Sequence, residues 1–178
     1  MESGFAAELR KFMLEPSPER FLRLRELVAQ SPEYAPYSGG LKEGRELLAQ
    51  GEFEEAADFF LSVMPNWILN PGIHVMLGFA FRQLGQEQHA QLEYALATGL
   101  VGGILSTGDG SEAQPYLILH TNDEYDLLQH LEKRSQGQAL RQKGANFFDV
   151  LTCEDGSELW FDVTVPLTHM QARMADLE

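Results

Sequence analysis

The chain has 178 residues, of which 44% are hydrophobic, and its 27 acidic and 13 basic side chains give a formal charge of -14. That length fits one domain, or one domain with a small appended unit, and the apolar share excludes a disordered chain. The negative field repels phosphate backbones and anionic lipid, which argues against a nucleic-acid or membrane-surface ligand.

The N-terminal stretch holds Glu2 and Glu8 and has no apolar core of signal-peptide length. No run approaches the roughly 18 apolar residues of a membrane span. With a single cysteine, Cys153, there is no internal disulfide to form. The expected address is therefore the cytoplasm. A first helix is expected over Phe5 to Leu14. A second is expected over Pro18 to Gln30, where Pro18 suits a first helical position after Ser17 and Phe21, Leu22, Leu24, Leu27 and Val28 form an apolar stripe.

An internal repeat organises the next stretch. Gly44, Leu47, Gly51, Ala56, Phe60 and Val63 are followed at a constant offset by Gly78, Phe81, Gly85, Ala90, Tyr94 and Ala97. Glycine inside a helix costs about 1 kcal/mol relative to alanine, so Gly44 and Gly78 need a close neighbour to justify them. Gly51 and Gly85 stand where helices must stop, and Ala56 and Ala90 stand where a second helix crosses the first beside the bulkier Phe60 and Tyr94.

This pattern resembles the tetratricopeptide repeat over about residues 37–102. The second copy is the closer one, with Leu77-Gly78 ahead of Phe81, Gly85, Ala90, Tyr94 and Ala97. The first copy has Glu43 and Leu47 at the leucine and aromatic positions. Gly40 and His74 replace the early tryptophan, Pro65 and Pro71 straddle the closing proline of the first copy, and Gly102 replaces it in the second. The resemblance implies a groove lined by the first helix of each pair, here Ser38, Leu41, Arg45, Leu48, Val75, Phe79, Arg82 and Gln83. Such an apolar strip with two arginines suits an amphipathic or aromatic-bearing segment of another protein.

After Gly99 the helical period gives way to glycine-rich text. Tyr116 to Leu119 read as a strand, and Thr121 with Glu124 as a capping box opening a helix to about Glu132. Phe147 to Thr152 and Leu159 to Val165 flank a turn at Glu154-Asp155-Gly156-Ser157, which makes a hairpin. The TGDG segment, the DEYDLL helix start and the FDV and LWFDV strands look like a bacterial family of uncharacterised domains, a resemblance that implies no activity. The expected class is α+β: a helical unit over 1–102 with N-terminal capping helices, then a small unit over 103–178, ordered strand, helix, hairpin, with an antiparallel sheet.

Chemistry is sparse in this sequence. Gly108-Asp109-Gly110 lacks the lysine and hydroxyl of a phosphate loop and reads as a turn. Cys153 lacks the local signature of a nucleophile. His120, Asp123, Glu124 and Asp126 match no metal spacing, so neither metal nor cofactor is expected. His74 and His89 read as surface or boundary residues. The expectation is a non-catalytic interaction module, first an immunity protein that neutralises a secreted, nuclease-like bacterial toxin. In that reading the acidic C-terminal half, with a charge of -8 over residues 101–178, would meet a basic surface. A secretion chaperone or adaptor, and an enzyme with a distributed site, are the alternatives.

Overall fold

The computed structural model describes residues 4–39 and 41–175. Glu2 and Gly40, named above, lie outside them. The described chain runs α1 (Gly4–Leu14), α2 (Pro18–Ala29), α3 (Lys42–Gln50), α4 (Phe53–Trp67), α5 (Pro71–Gln83), α6 (Glu87–Leu105), β1 (Tyr116–Leu117), α7 (Asn122–His130), β2 (Ser135–Lys143), β3 (Asn146–Cys153), β4 (Glu158–Asp162) and α8 (Thr164–Ala175). It is an α+β fold with helices first and the sheet toward the C-terminus. None of its described helices is long and apolar enough to cross a membrane.

Local sequence sets the helix ends. Ser17 caps α2 by accepting from the Arg20 amide, with Pro18 at the start, and Asn70 caps α5 by accepting from Ile73, with Pro71 next. Pro65 falls inside α4. Gly51 and Gly85 take φ of 81° and 72°, so both tight turns between paired helices end in the left-handed region. The packing repeats as well. A Cβ on Gly44 would collide with the Phe60 ring, and one on Gly78 would sit 2.9 Å from the Tyr94 ring. Ala56 and Ala90 are both fully buried. Two successive helix pairs thus pack through matched small and bulky side chains.

The sheet is four-stranded, ordered β1-β4-β3-β2. The expected antiparallel sheet is corrected in one respect: β1 runs parallel to β4, with Tyr116 opposite Phe161. The first strand is also shorter than the expected 116–119. Beyond Leu117 the backbone bonds elsewhere, the Ile118 carbonyl accepting from Arg25 (3.1 Å) and the Leu119 carbonyl from the Tyr34 hydroxyl (2.7 Å). The last strand stops at Asp162 rather than Val165, because Asp162 Oδ1 accepts the Thr164 amide (2.8 Å) where α8 begins. Strand β2 is an addition to the expected elements. Its text, SQGQALRQK, has no apolar alternation, and it pairs with β3 alone, at the edge of the sheet.

One core runs through most of this body. Phe12, Phe21, Leu24 and Val28 from the first two helices meet Leu100, Val101 and Ile104 of α6 and Leu151, Leu159 and Phe161 of the sheet. Helix α6 itself continues through the expected 102/103 boundary to Leu105. A second core, with Leu41, Ala56, Phe60, Ile73 and Leu77, lies within the helix pairs. Cys153 is buried in the first core.

Candidate partner-binding groove

A cavity of about 600 Å³ opens between the helix pairs and α7. Arg45 and Leu48 of α3 and Pro71, Gly72, Val75 and Met76 of α5 form one side. Ala97, Thr98 and Val101 of α6 and Tyr125, Asp126, Gln129 and His130 of α7 complete it. Val75 is 49% exposed, a β-branched apolar side chain presented to solvent from the middle of a helix.

Three of the eight groove positions read from the sequence, Arg45, Leu48 and Val75, line this cavity. The other five lie elsewhere. Leu41 is 2% exposed and belongs to the core of the helix pairs, so its side chain is withdrawn from any partner. Ser38 donates to the Ala35 carbonyl (2.8 Å) and accepts from Asn66 (3.0 Å). Phe79 meets the Phe53 ring edge-on, and the Arg82 guanidinium lies 5.8 Å from Phe79 and 5.9 Å from Tyr94. That stacking holds Arg82 away from the cavity. Gln83 is exposed at the end of α5.

Helix α7 forms the far wall because buried polar groups fasten it to the start of α5. The Asn70 amide donates to Asp123 Oδ1 (2.8 Å) and to Asp126 Oδ2 (2.7 Å), and Asp126 Oδ2 also accepts the Gly72 amide (3.0 Å). A Cβ on Gly72 would lie 2.6 Å from that carboxylate, so only glycine lets Asp126 reach the backbone there. The expected capping box is corrected too. Thr121 makes no side-chain cap bond, and Asp123 instead ties down the segment before the helix, its Oδ2 accepting the Leu119 (3.0 Å) and His120 (2.9 Å) amides.

Burial governs the charges along this junction. It pushes the Asp123 carboxyl up to about 6 against the bonds from Asn70 and the two amides, and burial followed by the neighbouring Asp123 charge brings Asp126 to about 6. Glu124 is fully buried. Burial, then the Asp149 charge and hydrogen bond, push its carboxyl up to about 9, so it keeps its proton at neutral pH. Gln138 of β2 donates to Asp149 Oδ2 (2.9 Å) and to Glu124 Oε2 (3.3 Å), linking the pair to the sheet edge.

His120 stacks on Trp67 with ring centroids 4.3 Å apart, and burial holds its pKa down near 3, so the ring is neutral. Of His120, Asp123, Glu124 and Asp126, close in sequence, only the two aspartates converge, on the Asn70 amide, while His120 turns to Trp67 and Glu124 to Gln138. Among the described residues no group of three or more His, Cys, Asp or Glu is arranged to hold a metal ion. His74 is buried rather than at the surface or a boundary, bridging the Ile68 carbonyl (2.9 Å) and the Glu93 carboxylate (2.6 Å). The Gly108 to Gly110 segment is a turn in which the Asp109 and Gly110 amides both donate to the Gln114 carbonyl.

Residues 36–172 match the sequence model of a domain of unknown function, DUF4919. The chain belongs to the DUF4919 family. The matched span holds both helix pairs, α7, the sheet and most of α8, and it leaves out α1 and α2. No curated protein and no solved structure matches the chain. The α7 wall of the groove is absent from the positions that the helical repeat points to, although Tyr125 and Gln129, four residues apart with buried Leu127 and Leu128 between them, mark an outward-facing stripe.

Proposed function

We propose that this DUF4919 protein is a non-catalytic binding module whose two helix pairs are tetratricopeptide-like. In this reading it captures an apolar-faced segment of another protein in the groove lined by Arg45, Leu48 and Val75. The groove carries the proposal: a mid-helix apolar side chain faces solvent there, beside one cationic residue and a carboxylate anchored on a helix start. The formal charge of -14 favours a basic partner by speeding its approach, which fits an immunity protein that neutralises a secreted toxin inside the producing cell.

The test is co-purification from native cells at low salt, followed by expression of the captured protein with and without this chain. One stoichiometric partner, toxic alone and harmless with the chain, is the expected outcome. Val75→Glu should abolish the protection while leaving the fold intact, because that side chain is 49% exposed, and Leu48→Ala, which trims a side chain shared between the cavity and the helix-pair core, should weaken it. A partner that binds without affecting viability turns the reading to an adaptor. Protection that survives both substitutions removes the groove from it.

A further inference from the structure

Strand β2 is the longest in the sheet, nine residues, and it lies at the edge with every residue after Ser135 exposed. Its pairing partner fixes which backbone groups are free. Gly144-Ala145 form a two-residue turn, with Gly144 at φ 61°, so Lys143 and Asn146 are the closing pair. In a two-residue hairpin the closing pair exchanges both hydrogen bonds, and the residues alternate from there. Lys143, Arg141 and Ala139 therefore point their amides at β3, while Gln142, Leu140 and Gln138 point theirs outward. The register shift in the pairing is confined to the start of the strand, between Ser135 and Gly137, which leaves a straight edge from Gly137 to Lys143. Leu140, in the centre of that edge, is 58% exposed.

Charge sets this edge apart from the rest of the molecule. From Lys133 to Phe148 there are four basic residues and no acidic one, in a chain of net -14. Lys133 meets Asp155 and Lys143 meets Glu112. Among the described residues no carboxylate pairs with Arg134 or Arg141, and the Arg141 guanidinium lies 5.5 Å from the Trp160 ring, on the sheet face beside the edge. Open edges are ordinarily shortened, bent away, covered or set with charge, because their unpaired amides and carbonyls recruit another strand; this one keeps its length, and its basic charge bars a like-charged strand while admitting an acidic one.

We propose that β2 is a strand-addition surface for an extended, acidic segment of a partner protein. The segment pairs its backbone with Gln138, Leu140 and Gln142, lays alternate apolar side chains beside Leu140, and places carboxylates near Arg134 and Arg141. A second copy of the chain is the weaker occupant, because two bodies of charge -14 repel and each would bring a basic strand to the other's basic strand. Nucleic acid is weaker still, since two arginines without carboxylate partners, one of them over the Trp160 ring, give little for a phosphate backbone to hold on a polyanionic protein. The edge adjoins the groove through one bond, the Tyr125 hydroxyl donating to Gln138 Oε1 (3.0 Å), but no β2 residue lines the groove and the proposal does not depend on the groove's occupant.

The probe is a fluorescent ten-residue peptide alternating Glu with Val or Thr, titrated into the full chain and followed by anisotropy. Its Lys counterpart and a ten-residue oligothymidylate serve as controls. The expected result is saturable binding of the acidic peptide, at least about tenfold tighter than either control and weakened by salt. Leu140→Pro removes an outward amide without touching the β3 ladder, as edge strands tolerate, and should weaken binding about tenfold. Arg134→Glu should weaken it by a comparable factor. Amide exchange provides a readout that needs no variant: peptide should slow exchange at Gln138, Leu140 and Gln142 and leave Ala139 and Arg141 unchanged. No binding at millimolar peptide, equal binding of oligothymidylate, concentration-dependent dimerisation through β2, or unaltered exchange at the three outward amides would each overturn the proposal.

Discussion

Where α3 crosses α4, Gly44 lies against the Phe60 ring within an apolar core, and the same contact recurs between Gly78 and Tyr94. Where α7 meets α5, the Asn70 amide donates to both Asp123 and Asp126 in a buried site. Both junctions join neighbouring helices, but they hold register by different physics. Apolar contacts lose stability in proportion to the volume disturbed. A buried hydrogen-bonded set fails more abruptly, because each lost partner strands another polar group away from water.

The sharpest way to break that contrast is Asp123→Ala. It leaves the Leu119 and His120 amides and one bond of the Asn70 amide without their acceptor, and should cost about 4 kcal/mol, read by chemical denaturation. Glu124→Gln, on the side of α7 bonded to the sheet, acts with the opposite sign. A carboxyl raised to about 9 in the fold keeps its proton where the unfolded chain, near 4.5, has lost it. Its contribution is complete below about pH 4.5 and declines as pH rises toward 9, so the native protein should weaken steadily across that window. Glutamine removes the titration, and the variant should be more stable than the native chain by about 3 kcal/mol at pH 8, with little difference at pH 4.5.

The apolar side of the comparison gives smaller effects. Gly44→Ala drives a methyl into the fully buried Phe60 and should cost about 2 kcal/mol. Gly78→Ala meets Tyr94, which is only half-buried and has room to tilt, and should cost about 1 kcal/mol or less. Equal penalties at the two glycines would mean that the pairs pack alike in detail as well as in pattern.

The same contrast explains what could be read in advance. The helix pairs were legible because their determinants are local: Gly51 and Gly85 end helices, and Gly44 and Ala56 recur at a fixed offset as Gly78 and Ala90. Ser17-Pro18 announced α2 for the same reason. Groups committed over long range were not legible. Thr121 has the text of a cap yet makes no cap bond, whereas Asp123, bonded to Asn70 far away in sequence, holds the Leu119 and His120 amides that precede the helix. Tyr116 to Leu119 look like four strand residues, but Arg25 and Tyr34 claim the last two carbonyls. Strand β2 left no apolar signature because its side chains lie in solvent after Ser135. Of the groove, the α3 and α5 side could be read through Arg45, Leu48 and Val75, whereas the α7 wall depends on Asp126 reaching Gly72.

The seat of Phe21 on α6 carries a wider consequence. Its ring occupies the space that a side chain at position 103 would fill, and Phe21 lies outside the span that defines the family. Residues 36–172 alone would therefore leave an unroofed notch in α6 at Gly103. Closing that notch without Phe21 takes a side chain at position 103 itself or a ring supplied from elsewhere, so the first two helices complete the packing of α6 and are more than an appendage to the matched span.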